Sequence, residues 1–408
     1  MYQVVVISAH LKKEDKTRSD EEIIHLIHSL QMEAIRFYVQ EVEMIQRTTY
    51  VGKGKLAEWQ GYIQAIDKVD AIVINDDLTP LQWKTYNRLF DIPIYDRTGI
   101  ILEIFSQHAQ SKEARLQVDI AKIQYAKTRM VEEDAHYAQV TSGRGHNKGL
   151  GEKEIDLKRG QYRDLLSRKR AELASLVKQR KTMRGLRRKN NLPLIAIVGY
   201  TNAGKSSLLN AFLRHSLLQK MVKEENRLFA TLETSTRKVE ISPYPTFLCT
   251  DTVGFIDHLP TTLIEAFQST LEEIKQADLL IHVLDISDSH VLLQKKVTED
   301  TLKAIGVENI PTIYLYNKTD LVSSYPFIPD EKSLFVSTRE DEDIEMILHL
   351  IFQEIRKTWI EKTIFLTYDK SIYSLQKEAY IVDKKEKENG YEVHGYFPVS
   401  VLKKWQLD

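Results

Sequence analysis

The octapeptide from Gly199 to Ser206 combines glycine, lysine and hydroxyl residues at the spacing G-x-x-x-x-G-K-S. It follows the apolar run Leu194–Val198, so a buried strand is expected to enter a glycine turn that opens a helix near Lys205. In such a turn the backbone N–H groups converge on an anion, and the helix N-terminus adds its positive dipole. Lys205 can then reach the β- and γ-phosphates of a nucleotide, and the hydroxyl of Ser206 can ligate Mg²⁺.

A second motif, Asp251-Thr-Val-Gly254, comes after the strand-like run Thr246–Thr250. An aspartate at a strand end can hold Mg²⁺ through water, and the N–H of Gly254 can sense the γ-phosphate. The order of the two motifs along the chain is that of a nucleotide-hydrolysing site.

A third motif, Asn317-Lys-Thr-Asp320, follows the apolar run Thr312–Tyr316. The carboxylate of Asp320 can accept hydrogen bonds from N1–H and N2–H₂ of guanine, whereas adenine would leave that buried charge unpaired. Asn317 is expected to brace the loop, and the stem of Lys318 is expected to lie along the base. In this position the motif predicts GTP rather than ATP as the nucleotide.

Two shorter elements complete the predicted site. Phe229-Ala-Thr-Leu232 lies where a switch loop is expected, and Thr231 is the predicted second Mg²⁺ hydroxyl and γ-phosphate sensor. Three neighbouring hydroxyl residues remain alternatives to it: Thr234, Ser235 and Thr236. The backbone of Ser337 and Thr338, after the strand-like run Ser333–Val336, could contact the guanine O6.

The nucleotide-binding prediction therefore covers four segments of the chain. Its residues are Gly199, Tyr200, Thr201, Asn202, Ala203, Gly204, Lys205, Ser206, Ser207, Phe229, Ala230, Thr231, Leu232, Asp251, Thr252, Val253, Gly254, Asn317, Lys318, Thr319, Asp320, Ser337 and Thr338. Lys205, Thr231 and Gly254 are predicted to act on the transferred phosphate. Ser206 and Thr231 are predicted to ligate Mg²⁺, with Asp251 bound to the ion through water.

Phe255 and Ile256 stand where many GTPases carry a glutamine that orients the attacking water. Neither side chain can hydrogen-bond to water, so hydrolysis is predicted to be slow until a partner or an ion activates it. Asn202 resembles the asparagine of GTPases that bind K⁺ beside the phosphates. The alternative is that Asn202 only stabilises the turn.

The composition sets broader limits. A chain of 408 residues is long enough for two to four domains, and its net charge is −1. The single cysteine, Cys249, excludes an intramolecular disulfide and fits a reducing compartment. No signal peptide and no apolar stretch long enough for a bilayer is evident, so a soluble, cytoplasmic protein is expected. A monomer is a separate expectation.

The near-zero net charge hides a basic segment between residues 158 and 189, where Asp164 and Glu172 are the only acids. Its cations are Lys158, Arg159, Arg163, Arg168, Lys169, Arg170, Lys178, Arg180, Lys181, Arg184, Arg187, Arg188 and Lys189. Apolar residues recur within it at helical spacing: Tyr162, Leu165, Leu166, Leu173, Leu176 and Val177. An earlier stretch, from about residue 112 to 137, carries a similar stripe: Leu116, Ile120, Ile123 and Ala126.

A glycine-rich basic loop, residues 142–151, separates these two helical stretches. The simplest arrangement is an antiparallel helical hairpin with this loop at its tip. A solvated charged helix is the alternative, but so large a one-sided excess of cations favours RNA as a partner. The residues predicted to contact RNA are Arg144, His146, Lys148, Arg163, Arg168, Arg180, Lys181 and Arg184.

The predicted fold is α/β: a P-loop GTPase domain between smaller regions. Residues 1–108 alternate strands and helices, which indicates a small parallel α/β subdomain, and residues 109–190 form the basic hairpin. Residues 191–358 form the GTPase domain, and residues 359–408 form an α+β module with no recognisable chemistry. Within these regions, Val51–Lys55 is expected to be a turn opening a helix, and Lys384–Gly390 a charged turn.

Nearly the whole chain resembles the HflX GTPases. The most specific likeness lies outside the common GTPase motifs, in Thr49–Lys55, Tyr95-Asp-Arg-Thr-Gly99, Ile101–Phe105 and Leu116-Gln-Val118. The resemblance extends to Gly199–Ser207, Phe229–Leu232 and Asp251–Phe255. It implies GTP hydrolysis on the large (50S) ribosomal subunit, splitting of stalled ribosomes, and a helical region that reaches the peptidyl-transferase centre of the 23S ribosomal RNA. It also supports Thr231 as the switch threonine.

The tip departs from the family pattern Gly-Gly-Ile-Gly-Thr-Arg-Gly-Pro-Gly-Glu. Here the segment reads Gly143-Arg-Gly-His-Asn-Lys-Gly-Leu-Gly-Glu152, with Leu150 in place of the proline and His146 in place of a glycine. A specialised paralogue linked to antibiotic resistance and neutral drift are the two interpretations. A GTP-controlled assembly factor for the large subunit is a further alternative. An RNA helicase is disfavoured because Asn317–Asp320 selects guanine and no arginine motif typical of helicases is evident.

Overall fold

The computed structural model describes residues 2–12, 17–140, 150–188, 192–216, 235–255, 274–325 and 327–406. The chain divides into two compact units that meet in sequence between residues 177 and 178. Among the described residues, no helix is both long and apolar enough to cross a membrane.

The first unit contains a four-stranded parallel sheet. Its strands are β1 (Tyr2–Leu11), β2 (Met32–Val42), β3 (Ala71–Ile74) and β4 (Ile94–Asp96), in the order β2-β1-β3-β4. Its helices are α1 (Thr17–Ser29), α2 (Lys53–Gln64), α3 (Pro80–Leu89) and α4 (Arg97–His108). Every side chain of β3 is buried, as expected for a strand of a parallel sheet covered on both faces. The predicted parallel α/β layer is confirmed.

The Thr49–Lys55 motif contributes to packing in this unit. Tyr50 adopts a positive φ of 64°. Its hydroxyl accepts a bond from the backbone N–H of Ala9 at 2.9 Å and donates to Asp76 at 2.6 Å. The motif thus joins strand β1 to the segment that follows β3, and helix α2 begins directly after Gly52, so the predicted turn that opens a helix is confirmed.

Asp96, from the Tyr95–Gly99 motif, is a buried connection between the sheet and the following helices. Its carboxylate caps α4 by accepting from the N–H of Gly99 at 2.8 Å. It also accepts from the hydroxyl of Tyr125 and from Arg129, the latter at 2.5 Å. These donors satisfy the buried carboxylate of Asp96 within the fold. The Tyr95–Gly99 motif therefore has a structural role in this unit.

Helices α5 (Lys112–Val140) and α6 (Leu150–Arg188) run antiparallel. Lys112 pairs with Glu172 and Asp119 pairs with Lys169, each at 2.6 Å, so later residues of α5 meet earlier residues of α6. Leu166 packs between them in a small cluster with Ile120, Ile123, Tyr162 and Leu173. The predicted hairpin is confirmed, except that Leu165 is exposed rather than part of the apolar stripe.

The second unit is built on a six-stranded sheet in the order β10-β9-β8-β5-β7-β6. The strands are β5 (Leu194–Gly199), β6 (Ser235–Val239), β7 (Phe247–Asp251), β8 (Leu279–Asp285), β9 (Thr312–Asn317) and β10 (Ser333–Phe335). Only β6 among them runs antiparallel to its neighbour. The described helices beside the sheet are α7 (Lys205–His215), α8 (Val291–Ala304) and α9 (Asp341–Ile355). The predicted motifs therefore follow the carboxyl ends of β5, β7 and β9, where parallel sheets bind ligands.

The C-terminal module is a three-stranded antiparallel sheet with two short helices. Its elements are β11 (Ile360–Thr367), α10 (Ile372–Gln376), β12 (Tyr380–Lys387), β13 (Gly390–Phe397) and α11 (Val399–Trp405), and the strand order is β11-β13-β12. The prediction of a charged turn over Lys384–Gly390 is wrong at both ends, because the turn comprises residues 388 and 389 and Gly390 begins β13. Residues 384–387 belong to β12, an edge strand whose exposed charged side chains disfavour pairing with another chain.

Candidate guanine-nucleotide site

The loop between β5 and α7 needs glycine at both ends. Gly199 has φ 147°, and a Cβ atom there would lie 2.2 Å from the carbonyl oxygen of Val283. Gly204 has φ 100° and directly precedes α7, so the helix begins at Lys205 as predicted. Asn202 has φ 62°, a conformation that asparagine tolerates better than most residues. The loop therefore has the strand–turn–helix geometry of a phosphate-binding loop.

Lys205 lies under this loop with only 6% of its surface exposed. Its Nζ donates to the carbonyl oxygen of Tyr200 at 2.6 Å. Burial lowers the pKa of the Lys205 ammonium to about 8, the charge of Asp251 acts in the opposite direction, and Lys318 lowers it slightly further. A phosphate beside this ammonium would replace the solvation that burial removes.

Asp251 ends β7 and is fully buried. The hydroxyl of Ser206, the second residue of α7, donates to its Oδ2 at 2.7 Å. A hydroxyl and a carboxylate oxygen at this separation match the hard oxygen ligands that Mg²⁺ prefers. The next residue, Thr252, is tied to the central strand by a 2.7 Å bond from its hydroxyl to the carbonyl of Ile197.

Gly254 lies directly against the phosphate-binding loop. A Cβ atom on it would be 2.8 Å from Cγ2 of Thr201 and 2.9 Å from Nζ of Lys205. Phe255 is held next to it by two backbone bonds, from the N–H of Thr201 at 2.8 Å and to the carbonyl of Gly199 at 3.1 Å. The Phe255 side chain is buried, which is consistent with its inability to orient a water.

Asn317 joins the phosphate-binding loop to the loop after β10. Its Nδ2 donates to the carbonyl of Ala203 at 3.0 Å, and its Oδ1 accepts from the N–H of Thr338 at 3.1 Å. Lys318 follows in a left-handed conformation, with φ 67°, and its Nζ lies 2.5 Å from Asp285. The Asn317 side chain thus bonds to two segments of the chain at once, as expected of a residue that braces the loop.

The carboxylate of Asp320 faces the loop that carries Ser337 and Thr338. Its Oδ1 accepts from the hydroxyl of Ser337 at 3.0 Å, and its Oδ2 accepts from Arg339 at 2.9 Å. The N–H of Ser337 in turn donates to Asp343 at 2.6 Å. This geometry brings the two predicted base-recognition segments together.

Three residues of this region were missed by the sequence reasoning: Asp285, Arg339 and Asp343. Asp285 ends β8 in the same way that Asp251 ends β7, and that position is a signal the sequence contained. Arg339 directly follows the predicted Ser-Thr pair. The role of Asp343 depends on how α9 starts, and its local sequence gives no comparable signal.

Several predicted residues lie outside the described part of the chain. They include Phe229–Leu232 with Thr231, the alternative Thr234, and the tip residues Arg144, His146 and Lys148. Ser235 and Thr236 begin β6, and the hydroxyl of Thr236 is 2.9 Å from that of Thr250. Arg163 and Arg168 are exposed on α6. Arg180, Lys181 and Arg184 belong to α6, but their side chains lie outside the description.

Three protein-family models match successive parts of the chain. A GTP-binding GTPase N-terminal region matches residues 17–106, a GTP-binding GTPase middle region matches residues 108–187, and a 50S ribosome-binding GTPase matches residues 194–318. A solved GTP-binding protein from Sulfolobus solfataricus in complex with GDP is 22% identical, with 88% of this chain and 99% of that chain covered and a TM-score of 0.45.

Two relatives that match most of the chain carry the family assignment. The GTPase HflX of Caldanaerobacter subterraneus subsp. tengcongensis is 35% identical over 380 residues, which cover 92% of this chain and 87% of the relative. The GTPase HflX of Spirochaeta thermophila is 38% identical over 302 residues, or 74% of this chain and 73% of the relative. With identity at this level over most of its length, and with the phosphate and base motifs gathered at one sheet edge, the chain belongs to the HflX family of GTPases.

Proposed function

We propose that this GTPase binds the large ribosomal subunit and uses GTP to split or rescue stalled ribosomes. The observation that carries the proposal is the presence, in one chain, of a guanine-nucleotide site and a long basic helical hairpin. The match of residues 194–318 to a 50S ribosome-binding GTPase supports the subunit as the target. The hairpin is proposed to reach along the 23S ribosomal RNA towards the peptidyl-transferase centre.

In the proposed site, the loop from Gly199 to Ser207 wraps the phosphates and Lys205 neutralises their charge. Asp320 selects guanine, while Asn317 holds the base loop against the phosphate loop at 3.0 Å. Gly254 allows the backbone to approach the γ-phosphate because a side chain there would collide with Thr201.

Ser206 and Asp251 fit Mg²⁺: the partly buried Ser206 offers a hydroxyl ligand, and the buried Asp251 carboxylate, 2.7 Å from that hydroxyl, would bind the ion through water. When bound, Mg²⁺ supplies positive charge to the β- and γ-phosphate oxygens. Thr231 is the proposed second hydroxyl ligand. K⁺ beside Asn202 is a further proposal, which equimolar exchange of KCl for NaCl tests in the parent and in Asn202→Ala.

Hydrolysis by the isolated protein is proposed to be slow. Phe255 occupies the place of a water-orienting residue, and its buried side chain offers no hydrogen-bonding atom. Groups on the ribosome would then orient the water that attacks GTP. Single-turnover GTP hydrolysis, measured with and without large subunits, should show a clear rate increase on adding subunits.

Exposed cations on α6 are proposed to bind phosphates of the ribosomal RNA. Arg163 and Arg168 lie in the described part of α6 with their side chains exposed. Each phosphate contact releases counterions, so subunit binding should weaken steeply with salt. The alternative, a solvated helix without a partner, predicts no such salt dependence.

The deciding experiment is sucrose-gradient profiling with intact ribosomes and separated subunits. Splitting of intact ribosomes supports the proposal. Retention on the large subunit without splitting favours an assembly factor, and drug release without splitting favours a ribosome-protecting resistance variant. Absence of the protein from every ribosomal fraction would contradict all three.

A paired substitution then tests the hairpin. Arg163→Glu with Arg168→Glu should lower subunit affinity and reduce the slope of log affinity against log salt by about two units. GTP affinity should not change. The matched control is Lys296→Glu with Lys303→Glu, two exposed cations on α8. Equal losses in both double variants would mean that net charge, not the hairpin, governs binding.

A further inference from the structure

The β6–β7 hairpin connects the C-terminal module to the nucleotide site. β6 lies at the edge of the six-stranded sheet and pairs only with β7 among the described strands. An edge strand has hydrogen-bonding partners on one side only, so its position depends on what holds its ends. One end of this hairpin, residues 239–247, contacts the C-terminal module.

Glu240 and Thr246 of the hairpin meet Lys377 of the module, and this hairpin–module contact consists of two interactions. The ammonium of Lys377 forms an ion pair with Glu240. The backbone N–H of Thr246 donates to the carbonyl oxygen of the same Lys377 at 2.8 Å. One residue of the module therefore holds both ends of the connection between β6 and β7.

The ion pair is partly shielded from water. The side chain of Glu240 is only 11% exposed, and Lys238 lies 3.5 Å from its other oxygen. The hydrogen bond from Lys377 lowers the pKa of the Glu240 carboxyl, and the same bond raises the pKa of Lys377. Both groups are therefore charged near neutral pH and attract each other.

Aromatic rings extend the same contact into the core. Tyr244 of the hairpin stacks on Phe352 of α9, with ring centroids 5.5 Å apart, and Tyr380 of the module stacks on Phe352 at 6.1 Å. Phe247, the first residue of β7, packs edge-to-face against Phe352 at 5.9 Å and against Phe212 of α7 at 5.8 Å. Continuous packing of rigid rings thus leads from the module to the helix behind the phosphate loop.

The opposite end of the β6–β7 hairpin carries a residue of the proposed nucleotide site. β7 ends at Asp251, which accepts the hydroxyl of Ser206 at 2.7 Å. At the module end, the N–H of Glu240 donates to the hydroxyl of Ser216, the residue that follows α7, at 3.1 Å. β7 also pairs with β5 up to Asp251, which lies opposite Ile197, so a shift at the Glu240–Thr246 end would reach Asp251 as a small change in the angle of β7 and not as a slide along its length.

We propose that Lys377 is a positioning residue for GTP hydrolysis: through Glu240 and Thr246 it fixes the hairpin that carries Asp251. The C-terminal module then sets the geometry of the nucleotide site without touching the nucleotide. A partner that binds the module and displaces Lys377 would change the hydrolysis rate by this route.

The test uses the full chain and two single variants, Lys377→Met and Glu240→Gln. Each should lower the kcat for GTP hydrolysis about 3-fold to 30-fold. This range is expected of residues that affect a site from a distance. The KM for GTP should stay within twofold, because neither residue touches the nucleotide. The double variant, Glu240→Gln with Lys377→Met, should lose no more rate than the more affected single variant, because both substitutions remove the same ion pair.

Lys404→Met is the matched control. Lys404 pairs with Glu378 at 2.5 Å wholly inside the module, so its loss perturbs the module but not the hairpin–module contact. An unchanged kcat in this control supports the proposal. The proposal is overturned if Lys377→Met or Glu240→Gln keeps the parent kcat, if the losses of the two single variants add up in the double variant, or if Lys404→Met loses as much. Thermal unfolding of each variant, followed by circular dichroism, identifies a rate loss that is due to unfolding.

Discussion

Gly204 and Asn317 are so close that a Cβ atom on residue 204 would lie 2.1 Å from the Nδ2 of Asn317. The same amide donates to the carbonyl of Ala203 and accepts from the N–H of Thr338. One side chain therefore fixes the spacing between the loop that is proposed to hold phosphates and the loop that is proposed to hold guanine. A change at either residue should affect both ends of the nucleotide.

Asn317→Ala should lower the free energy of unfolding by about 2–3 kcal/mol, since it leaves two buried backbone groups without their partner. Guanine-nucleotide affinity should fall at least tenfold, for GDP as well as for GTP. Urea unfolding and binding of a fluorescent GDP analogue measure the two effects. Asn87→Ala is the control, because the exposed Asn87 amide donates within its own helix, to the carbonyl of Trp83 at 2.9 Å. Equal behaviour of the two variants would refute the role of Asn317.

Gly254→Ala should reduce GTP hydrolysis while GDP affinity stays close to that of the parent. The added methyl group would meet Thr201 at 2.8 Å and Lys205 at 2.9 Å, which forces the backbone away from the γ-phosphate position. A loss of about 10-fold or more in rate is expected when one preorganised donor is removed. The control is Gly160→Ala on α6, where a Cβ atom would meet nothing within 4 Å. A parental hydrolysis rate in Gly254→Ala would contradict the prediction.

Asp320→Asn should shift nucleotide preference from GTP towards xanthosine triphosphate, whose 2-oxo group accepts where the 2-amino group of guanine donates. GTP binding should weaken by about 1.5–3 kcal/mol, the value of a hydrogen bond to a charged group. Competition binding with the two nucleotides measures the shift. Asp330→Asn is the control, because Asp330 bonds locally to Ser333 at 2.5 Å. If Asp320→Asn binds GTP as tightly as the parent, residues 317–320 do not recognise the base.

His282 makes stability depend on pH. It lies fully buried on β8, its ring centroid 5.5 Å from that of Tyr314 on β9. Burial lowers the pKa of His282 to about 3, and the positive charges of Lys295 on α8 and Lys205 on α7 act in the same direction. Below its ordinary value of 6.5 the unfolded chain binds a proton that the folded chain does not.

The free energy of unfolding should therefore fall as pH drops from about 6.5 towards 3, with His282 contributing roughly 2–3 kcal/mol of the loss at pH 4.5. In His282→Leu the difference in stability between pH 7 and pH 4.5 should be smaller by that amount. Urea unfolding at both pH values provides the measurement, and His349→Leu, at an exposed position on α9, is the matched control. If the difference in stability between pH 7 and pH 4.5 is the same in His282→Leu as in the parent, His282 is not the source of that difference.

Local patterns were enough to predict the elements that carry the motifs. The start of α7 at Lys205 follows from a glycine that needs a positive φ directly before a helical stretch. The antiparallel arrangement of α5 and α6 follows from two apolar stripes joined by a polar loop. Both depend on residues that are near each other in sequence, where spacing and backbone geometry are directly linked.

Long-range partners could not be predicted in this way. The sequence shows Tyr95–Gly99 as a motif but not that Asp96 accepts from Tyr125 and Arg129 on a helix that begins more than a dozen residues later. The charged residues 384–387 look like a turn, because nothing local reveals that β13 pairs with them. Strand pairing depends on the partner as much as on the strand itself.

By itself, the sequence determined the nucleotide chemistry of this protein, because phosphate and guanine recognition need particular residue types at short, fixed spacings. Only the tertiary structure decided which distant residues hold that chemistry in place. Arg339 meets Asp320 because consecutive strands pair in the sheet, whereas Asn317 meets Ala203, and Lys377 meets Glu240, across more than a hundred residues of sequence. Such contacts form through the packing of buried surfaces, which no local spacing encodes.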